Sequence, residues 1–193
     1  HFRAEGTQEY TALLYVPANK PMDIKKALKF SRDMAVGMSV AHQAGVIHRD
    51  LKPANVLVND EGLLKIVDFG VAAAAASGDT QLTKTGYVIG SPKYMAPEQI
   101  LGKKVDQTAD VYSIGVSMYE MTTGVPPYSR GDHMSVMYQH VQGKAKTVHE
   151  INPDVPEALS DLVGRLMSVD KAMRPRSMDE VQRAFAEYAQ TEA

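Results

Sequence analysis

The sequence predicts a mainly α-helical fold with a small amount of β-structure. Three patterns in its 193 residues lead to this prediction. Apolar residues recur at helical spacing after Asp23, segment 110–122 is almost entirely apolar, and two short apolar runs flank a turn at 59–62. Because helices and strands differ in period, these patterns assign most of the chain to one or the other.

The N-terminal part is predicted to contain a strand followed by a long helix. The apolar and β-branched run 10–16 predicts the strand, which stops at the turn-forming residues 17–21. From Asp23 onward, one helical face carries Ile24, Leu28, Ala35 and Met38. Gly45 is expected to end this helix as its C′ residue.

The rest of the chain is predicted to contain a hairpin, a long loop and further helices. Runs 55–58 and 63–67 flank Asn59-Asp60-Glu61-Gly62, whose composition is typical of a hairpin turn. Residues 72–97 lack a regular period and predict a loop of a length associated with function or disorder. Segment 110–122 predicts a helix that is buried on most of its surface and ends at Gly124. Amphipathic helices are expected at about 134–141, 156–167 and 178–189.

Composition narrows the class of protein. The chain has no cysteine, which excludes a disulfide framework, a thiol nucleophile and cysteine-ligated zinc or iron–sulfur sites. A net charge of -2 and a pI near 6.3 argue against nucleic acid as a partner, since nucleic-acid-binding domains usually have a pI above about 9. No apolar stretch approaches the ~18 residues of a membrane span, so we expect no membrane contact within this segment and a cytoplasmic location.

Three motifs give the strongest indication of chemistry. His-Arg-Asp-Leu-Lys-Pro-Ala-Asn occupies residues 48–55, Asp-Phe-Gly residues 68–70 and Ala-Pro-Glu residues 96–98. In this order and at these separations they resemble the catalytic-loop, metal-binding and APE signatures of eukaryotic-type (Hanks-type) protein kinases, with features of bacterial members. Three ordered motifs are far more specific than any one alone. The resemblance implies the kinase C-terminal lobe, a helical bundle with short β-hairpins around the catalytic loop.

The residues of these motifs also have the chemical types that phosphoryl transfer requires. The reaction needs an acceptor for the hydroxyl proton, a cation near the transferred group and oxygen ligands for Mg²⁺. The resemblance implies that Asp50 is the base and that Lys52 reaches toward the transferred phosphate. It implies that Asn55 and Asp68 ligate the two Mg²⁺ ions that accompany ATP. A polar turn beside an ordinary solvated lysine is the alternative, but it does not explain the spacing.

The resemblance also implies contacts with the nucleotide and the substrate. It assigns four residues to the nucleotide: Leu14, Tyr15 and Val16 at the hinge and Leu57 under the adenine ring. Ser91 matches a hydroxyl residue that contacts Asp50 and Lys52 in the family. Lys52 and Ser91 together are typical of kinases that act on Ser and Thr hydroxyls, so protein substrates of this kind are the expected partners.

Structural and packing roles are implied for several further residues. Glu98 is expected to form a buried ion pair with Arg174, and His48 and Phe69 are expected to pack in the interior. Asp110 resembles the carboxylate that holds the catalytic-loop backbone. For Asp110 the sequence leaves a second role open, that of an N-cap at the start of its helix.

A regulatory role is implied for the arginine next to Asp50. In similar kinases Arg49 pairs with a phosphorylated residue of the activation loop, through a charge-assisted contact that orders this loop. Thr83 and Thr85 lie where bacterial kinases of this type carry paired phosphothreonines, so autophosphorylation at one of them is expected. Phosphorylation in trans would bring two copies together as a homodimer.

The resemblance covers nearly the whole chain but begins late in the family's domain. The sequence has no Gly-x-Gly-x-x-Gly motif and no Val-Ala-Ile-Lys strand. Residues 1–16 are therefore expected to be a remnant of the N-terminal lobe with the hinge, and residues 17–193 the C-terminal lobe. Because the missing parts hold ATP, this chain alone is expected to lack turnover, whereas a longer parent is expected to be active. A membrane anchor in such a parent remains open.

Two other functions stay open from the sequence. A pseudokinase would use the lobe as a scaffold for binding, but the presence of Asp50, Asn55 and Asp68 argues against decay of the active site. A kinase-like small-molecule phosphotransferase would share this chemistry, but such enzymes usually lack the Ala-Pro-Glu segment and the peptide-docking loop before it. The preferred interpretation is a serine/threonine protein kinase.

Overall fold

Helices dominate the computed structural model, which describes residues 10–69 and 91–192. The helices are α1 (Ile24–Gln43), α2 (Pro97–Ile100), α3 (Thr108–Thr123), α4 (His133–Gln142), α5 (Val148–Ile151), α6 (Glu157–Leu166) and α7 (Met178–Thr191). Short 3₁₀ helices occupy Pro53–Asn55, Pro92–Tyr94 and Lys171–Met173. The predicted mainly α-helical fold is confirmed, and all five predicted helices have counterparts within a few residues, namely α1, α3, α4, α6 and α7.

The β-structure is a small antiparallel sheet beside the motif at residues 48–55. It consists of β1 (Tyr10–Leu13), β2 (Val56–Asn59) and β3 (Leu64–Ile66), with β2 in the centre. The predicted hairpin is confirmed, and the Asn59 side-chain oxygen accepts hydrogen bonds from the N–H groups of Glu61 and Leu63 at 3.0 and 2.8 Å. The first strand is shorter than the predicted run 10–16. It ends at Leu13, and its pairing with β2 reaches no further than the hydrogen bond from the Leu14 N–H to the carbonyl of Val56, the first residue of β2.

Helix α1 lines one side of the core and is followed closely by the motif at residues 48–55. Its N-cap is Asp23, whose carboxylate accepts a hydrogen bond from the Lys26 N–H at 3.1 Å. The buried face carries Ala27, Phe30, Ser31, Met34, Ala35 and Met38. Gly45 has a φ of +79°, in the left-handed region, as expected of a C′ residue that reverses the chain after the helix.

Helix α3 forms the centre of the fold. All of its residues except Glu120 are buried, which confirms the prediction of a helix that is covered on most of its surface. It packs between α1 and α6, and its first turn lies under the loop that carries motif residues 48–50. None of the helices in residues 10–69 and 91–192 combines the length and the apolar character needed to cross a membrane.

Candidate active site

The backbone of the motif at 48–50 is held by a single buried carboxylate. Asp110 is fully buried in the first turn of α3, where its Oδ2 accepts from the His48 N–H at 2.9 Å and its Oδ1 accepts from the Arg49 N–H at 3.0 Å. The His42 ring contributes a third contact, with Nε2 at 2.7 Å from Oδ2. Gln107 is the N-cap residue of α3, so Asp110 binds the loop backbone and does not cap its own helix.

Arg49 has an uncommon backbone conformation that turns the chain toward Asp50. Its φ is +71°, in the left-handed region, which costs an ordinary L-residue roughly 1–2 kcal/mol. The two Asp110 contacts offset this cost by fixing the peptide groups on the N-terminal side. On the C-terminal side, the Asp50 N–H donates to His48 Nδ1 at 3.1 Å. The strained turn therefore fixes the position from which the Asp50 side chain projects.

Three side chains that the sequence marked as functional meet at the end of this turn. Asp50 Oδ1 accepts a hydrogen bond from the Ser91 N–H at 3.0 Å, and the Lys52 ammonium donates to the Ser91 hydroxyl. Lys52 Nζ lies 3.8 Å from Asp50 Oδ2. The cluster joins a carboxylate, a cation and a hydroxyl, and the side chains of Asp50 and Lys52 are 12% and 23% exposed.

Asn55 is oriented by a contact with the same loop. It ends the 3₁₀ helix Pro53–Asn55 and is 5% exposed. Its Nδ2 donates to the Asp50 carbonyl at 2.7 Å, which fixes the amide and leaves Oδ1 as its acceptor atom. The Val67 N–H donates to the Asn55 carbonyl at 2.9 Å, so the strand before Asp68 is tied to this residue.

Asp68 is exposed and is placed next to the catalytic loop by both of its neighbours. The Val67 carbonyl accepts from His48 Nε2 at 2.9 Å, and the Phe69 ring packs on the His48 ring with 4.5 Å between centroids. Asp68 itself has a φ of +63°. Asn55 Oδ1 and the Asp68 carboxylate are oxygen donors of the type that Mg²⁺ prefers, so these two residues fit the cation that the motif implies.

The residues expected to contact the nucleotide follow the edge of the sheet. Leu14 is buried, with its N–H donating to the Val56 carbonyl at 2.8 Å, whereas Tyr15 is 76% exposed and Val16 is half-buried. Leu57 is half-buried on β2, beside this segment.

The residues assigned to regulation are described only in part. The Arg49 side chain is half-buried. Thr83 and Thr85, the expected phosphorylated partners of Arg49, lie outside the described residues.

A buried ion pair anchors the Ala-Pro-Glu segment. Arg174 donates to both carboxylate oxygens of Glu98, at 2.6 and 2.9 Å, and the two side chains are 0% and 6% exposed. Further donor hydrogens of Arg174 reach the carbonyls of Ser168 and Thr108 at 2.8 and 3.1 Å, and its guanidinium lies 4.9 Å from the Tyr112 ring centroid. The charged groups are thereby satisfied without water.

Sequence reasoning missed three residues that contact the site or its surroundings. His42 falls on a polar part of a helical pattern and gives no signal. Gln99 Oε1 accepts from the Ala96 N–H at 3.0 Å, but Ala96 lacks the hydroxyl of a capping box, so the sequence contains no recognisable capping pattern here. The Tyr94 hydroxyl donates to the Glu120 carboxylate, and burial together with this carboxylate raises the pKa of Tyr94, so the hydroxyl stays protonated near the Ser91 segment.

Known proteins match this chain along nearly all of its length. The sequence model of the protein kinase domain matches residues 4–186. A probable serine/threonine-protein kinase of Clostridium acetobutylicum is 33% identical over 187 residues, which cover 92% of this chain and 28% of that protein. A second one, from Clostridium perfringens, is 37% identical over 188 residues, which cover 91% of this chain and 27% of that protein.

A shorter match has higher identity. The serine/threonine-protein kinase PknB of Mycobacterium tuberculosis is 43% identical over 122 residues, which cover 63% of this chain and 20% of that protein. The chain thus spans less than a third of the length of each of these relatives.

Proposed function

This chain belongs to the protein kinase family, and from that premise we propose that it is the substrate-facing part of a serine/threonine protein kinase. Such an enzyme transfers the γ-phosphoryl group of ATP to Ser and Thr hydroxyls of proteins. The observation that carries the proposal is the cluster of Asp50, Lys52 and Ser91, which brings a carboxylate, an ammonium group and a hydroxyl together across 41 residues of sequence. The names of the two clostridial relatives support the same activity.

In the proposed mechanism, Asp50 receives the proton of the substrate hydroxyl. Its Oδ1 accepts from the Ser91 N–H at 3.0 Å, whereas Oδ2 has only the longer contacts with Asn55 Nδ2 at 3.4 Å and Lys52 Nζ at 3.8 Å, so we assign to Oδ2 the contact with the incoming hydroxyl. As the hydroxyl oxygen formed its bond to the γ-phosphorus, the bond from that phosphorus to the β–γ bridging oxygen would break, ADP would leave, and the hydroxyl proton would pass to this carboxylate oxygen. The Lys52 ammonium offsets negative charge on the transferred group from a position that its contacts with Ser91 and Asp50 fix in advance.

The nucleotide and metal would be held by the residues around this cluster. ATP with Mg²⁺ supplies the phosphoryl group and the cations that neutralise its charge. Asn55 Oδ1 and the Asp68 carboxylate would ligate two Mg²⁺ ions. Leu14, Tyr15, Val16 and Leu57 would contact the adenine, which would cover the exposed Tyr15 and the half-buried Leu57. The need for ATP is consistent with a cytoplasmic site of action.

Regulation would act through the turn that carries Asp50. We assign to Arg49 the pairing with a phosphorylated Thr83 or Thr85, formed when one copy phosphorylates another in a transient homodimer. The support is positional: Arg49 is the residue before the proposed base, and its strained backbone is part of the same turn. Mass spectrometry of the kinase co-expressed with a copy carrying Asp50→Asn should find phosphate between residues 71 and 94. Complete absence of phosphate from that segment would refute this assignment.

The proposed activity can be tested with the product of the whole gene. Incubation with ATP, Mg²⁺ and a generic basic protein should yield phosphoserine or phosphothreonine. Asp50→Asn should lower turnover by roughly 10²–10⁴-fold, the usual contribution of a positioned base, and should leave ATP binding intact. Asp60→Asn, at the exposed hairpin turn, is the matched control and should retain full turnover. Nucleotide binding without transfer by the unaltered protein would favour a pseudokinase scaffold instead.

A further inference from the structure

The buried side chain of Gln99 joins two segments of the active site. Gln99 lies in α2 and is 3% exposed. Its Oε1 accepts from the Ala96 N–H at 3.0 Å, and its Nε2 donates to the Arg49 carbonyl at 2.9 Å. Both partners are backbone groups with a fixed donor or acceptor role, so the reversed amide would face donor with donor and acceptor with acceptor. The orientation of this side chain is therefore determined by its contacts.

The carbonyl that Gln99 binds belongs to the peptide group directly before Asp50. The N–H of this same peptide group, that of Asp50, donates to His48 Nδ1 at 3.1 Å. The flanking groups are also held by side chains: the Arg49 N–H by Asp110 at 3.0 Å, and the Asp50 carbonyl by Asn55 at 2.7 Å. Each backbone polar group from Arg49 N–H to the Asp50 carbonyl thus has its own side-chain partner.

The backbone at Arg49 is strained, so the plane of the Arg49–Asp50 peptide group needs hydrogen-bond partners to hold it. Arg49 has a φ of +71°, and rotation of the peptide group that follows it would give the chain a way to relax. That rotation would move the Arg49 carbonyl away from Gln99 and would turn the Asp50 carboxylate away from the Ser91 N–H. Loss of the Gln99 contact would leave the half-buried Arg49 carbonyl without its donor, which lowers the free-energy cost of the rotation.

Helix α2 gives Gln99 a fixed base from which to act. The preceding residue, Glu98, forms the buried bidentate pair with Arg174, and the Gln99 amide closes the first turn of the helix through Ala96. The Gln99 side chain contacts Ala96 at one end and the Arg49 carbonyl at the other. The position of segment 96–98 therefore influences the position of the catalytic loop.

We propose that Gln99 is a positioning residue that fixes the Arg49–Asp50 peptide plane and, through it, the direction of the Asp50 carboxylate. This proposal deepens the proposed kinase function and rests on it for its effect on turnover. The effect of Gln99 on the orientation of the Arg49–Asp50 peptide group does not depend on catalysis, so it can be measured without any enzymatic activity.

The substitution Gln99→Glu separates the two contacts. It keeps the shape of the side chain and the acceptor for the Ala96 N–H, but it replaces the donor to the Arg49 carbonyl with an oxygen. Gln107→Glu is the matched control, because Gln107 Nε2 also donates to a backbone carbonyl, that of Arg176 at 2.7 Å, outside the active site. Gln99→Met and Gln107→Met form a neutral second pair, in case the added charge prevents folding.

The first measurement is made on this chain by NMR. In the Gln99 variants, the Asp50 amide resonance should shift and its hydrogen exchange should accelerate by about tenfold, the effect of losing one hydrogen bond of ordinary strength. The Gln107 variants should leave this amide unchanged. An Asp50 amide with unaltered resonance and exchange in both folded Gln99 variants would overturn the proposal, whatever the activity of the protein.

The second measurement uses the product of the whole gene. The Gln99 variants should lower kcat by about 10–100-fold with KM for ATP and protein substrate within about twofold, since a displaced base affects the transition state more than binding. The Gln107 variants should match the unaltered enzyme. Retention of kcat by folded Gln99 variants would overturn the positioning role, whereas absence of turnover from the unaltered protein would refute the kinase function and leave the NMR result to decide the positional effect.

Discussion

Arg174 and Glu98 form a bidentate ion pair in the interior, with nitrogen–oxygen distances of 2.6 and 2.9 Å, although 76 residues separate them. The pair joins α2 to the segment between α6 and α7. Because α2 also carries Gln99, whose amide reaches the catalytic loop, this ion pair connects the C-terminal part of the chain with the position of Asp50. Its loss should therefore affect stability first and the active site as a consequence.

Removal of one partner of this pair should destabilise the protein strongly. Arg174→Met leaves the Glu98 carboxylate buried without its cation, which should lower the free energy of unfolding by roughly 3–5 kcal/mol. Urea denaturation of the variant and of the unaltered chain measures this difference. Arg165→Met, which removes an exposed arginine on α6, is the matched control and should change stability by less than about 0.5 kcal/mol.

The double variant Glu98→Met with Arg174→Met distinguishes a lost ion pair from a lost packing volume. With both charges removed, no uncompensated charge remains in the interior, so the double variant should be more stable than Arg174→Met alone. A double variant whose destabilisation equals the sum of the two single effects would contradict this account, since it would mean that the charges are not coupled.

Two glycines with nearly equal backbone conformations should respond differently to alanine. Gly45 and Gly124 have φ values of +79° and +81° and follow α1 and α3. A Cβ at position 45 would meet no atom within 4 Å, whereas a Cβ at 124 would lie 2.4 Å from the Lys20 backbone nitrogen. Gly45→Ala should cost about 1 kcal/mol from the left-handed conformation, and Gly124→Ala about 1–3 kcal/mol more from the forced backbone shift.

Thermal or urea denaturation of both glycine variants measures this contrast. Equal costs at the two positions would show that the Lys20 contact gives way without strain, and that only the left-handed conformation is at issue.

A buried histidine should make stability fall in mild acid. His140 on α4 is fully buried, with Nδ1 2.5 Å from the Tyr112 hydroxyl and Nε2 without a hydrogen-bond partner among the described residues. Burial lowers the pKa of His140 to about 4, and the carbonyls of Lys93 and Pro92 oppose this shift only partly. The unfolded chain therefore binds a proton below its ordinary pKa near 6.5, while the folded chain binds it only near 4.

The difference in the pKa of His140 between the folded and unfolded states determines the pH range in which stability should change. Between about pH 6.5 and 4, the unfolded state holds more protons, so the free energy of unfolding should decrease as pH falls, by on the order of 3 kcal/mol from this group. His140→Gln cannot titrate and should show a shallower decrease across the same window, whatever its absolute stability. Parallel pH profiles for the two proteins would argue that another group carries the effect.

Long periodic elements could be predicted from the sequence, whereas short elements could not. Helices α1 and α3 extend over several turns, so their apolar residues repeat often enough to identify the period. Helices α2 and α5 have four residues each and the 3₁₀ helices three, which is about one turn and gives no repeat. The pairing of β1 with β2 stops at the contact of Leu14 with Val56, where β2 begins, and the position of this partner is not contained in the local sequence.

Residues of the candidate active site also differ in whether a sequence pattern indicates them. The roles assigned to Asp50, Asn55 and Asp68 stay predictions from residue type and spacing, and the structure adds that Asn55 Nδ2 contacts the Asp50 carbonyl. Gln99 and His42 escaped because each acts through a single contact with a group distant in sequence, at separations of 50 and 68 residues. A side chain that binds a backbone carbonyl or a neighbouring carboxylate leaves no periodic trace, so only the tertiary structure identifies it.

The hydroxyl of Ser91 should contribute to turnover separately from its backbone. The Ser91 N–H contacts Asp50 at 3.0 Å, and alanine or threonine at this position keeps that N–H, whereas the contact with the Lys52 ammonium requires the hydroxyl. Ser91→Ala should therefore leave Asp50 in place but release Lys52, and kcat should fall by about tenfold as the cation loses its fixed position.

Threonine at position 91 tests whether a hydroxyl alone is enough to preserve turnover. Ser91→Thr keeps the hydroxyl and should retain most of the turnover, and Ser129→Ala, at an exposed serine, should have no effect. All three variants are measured in the product of the whole gene, with KM for ATP and protein substrate determined alongside kcat. If Ser91→Ala turned over as fast as Ser91→Thr, the Lys52 contact with the hydroxyl would have no catalytic role. The position of Lys52 would then have to be set by Asp50, 3.8 Å away, or by the bound nucleotide.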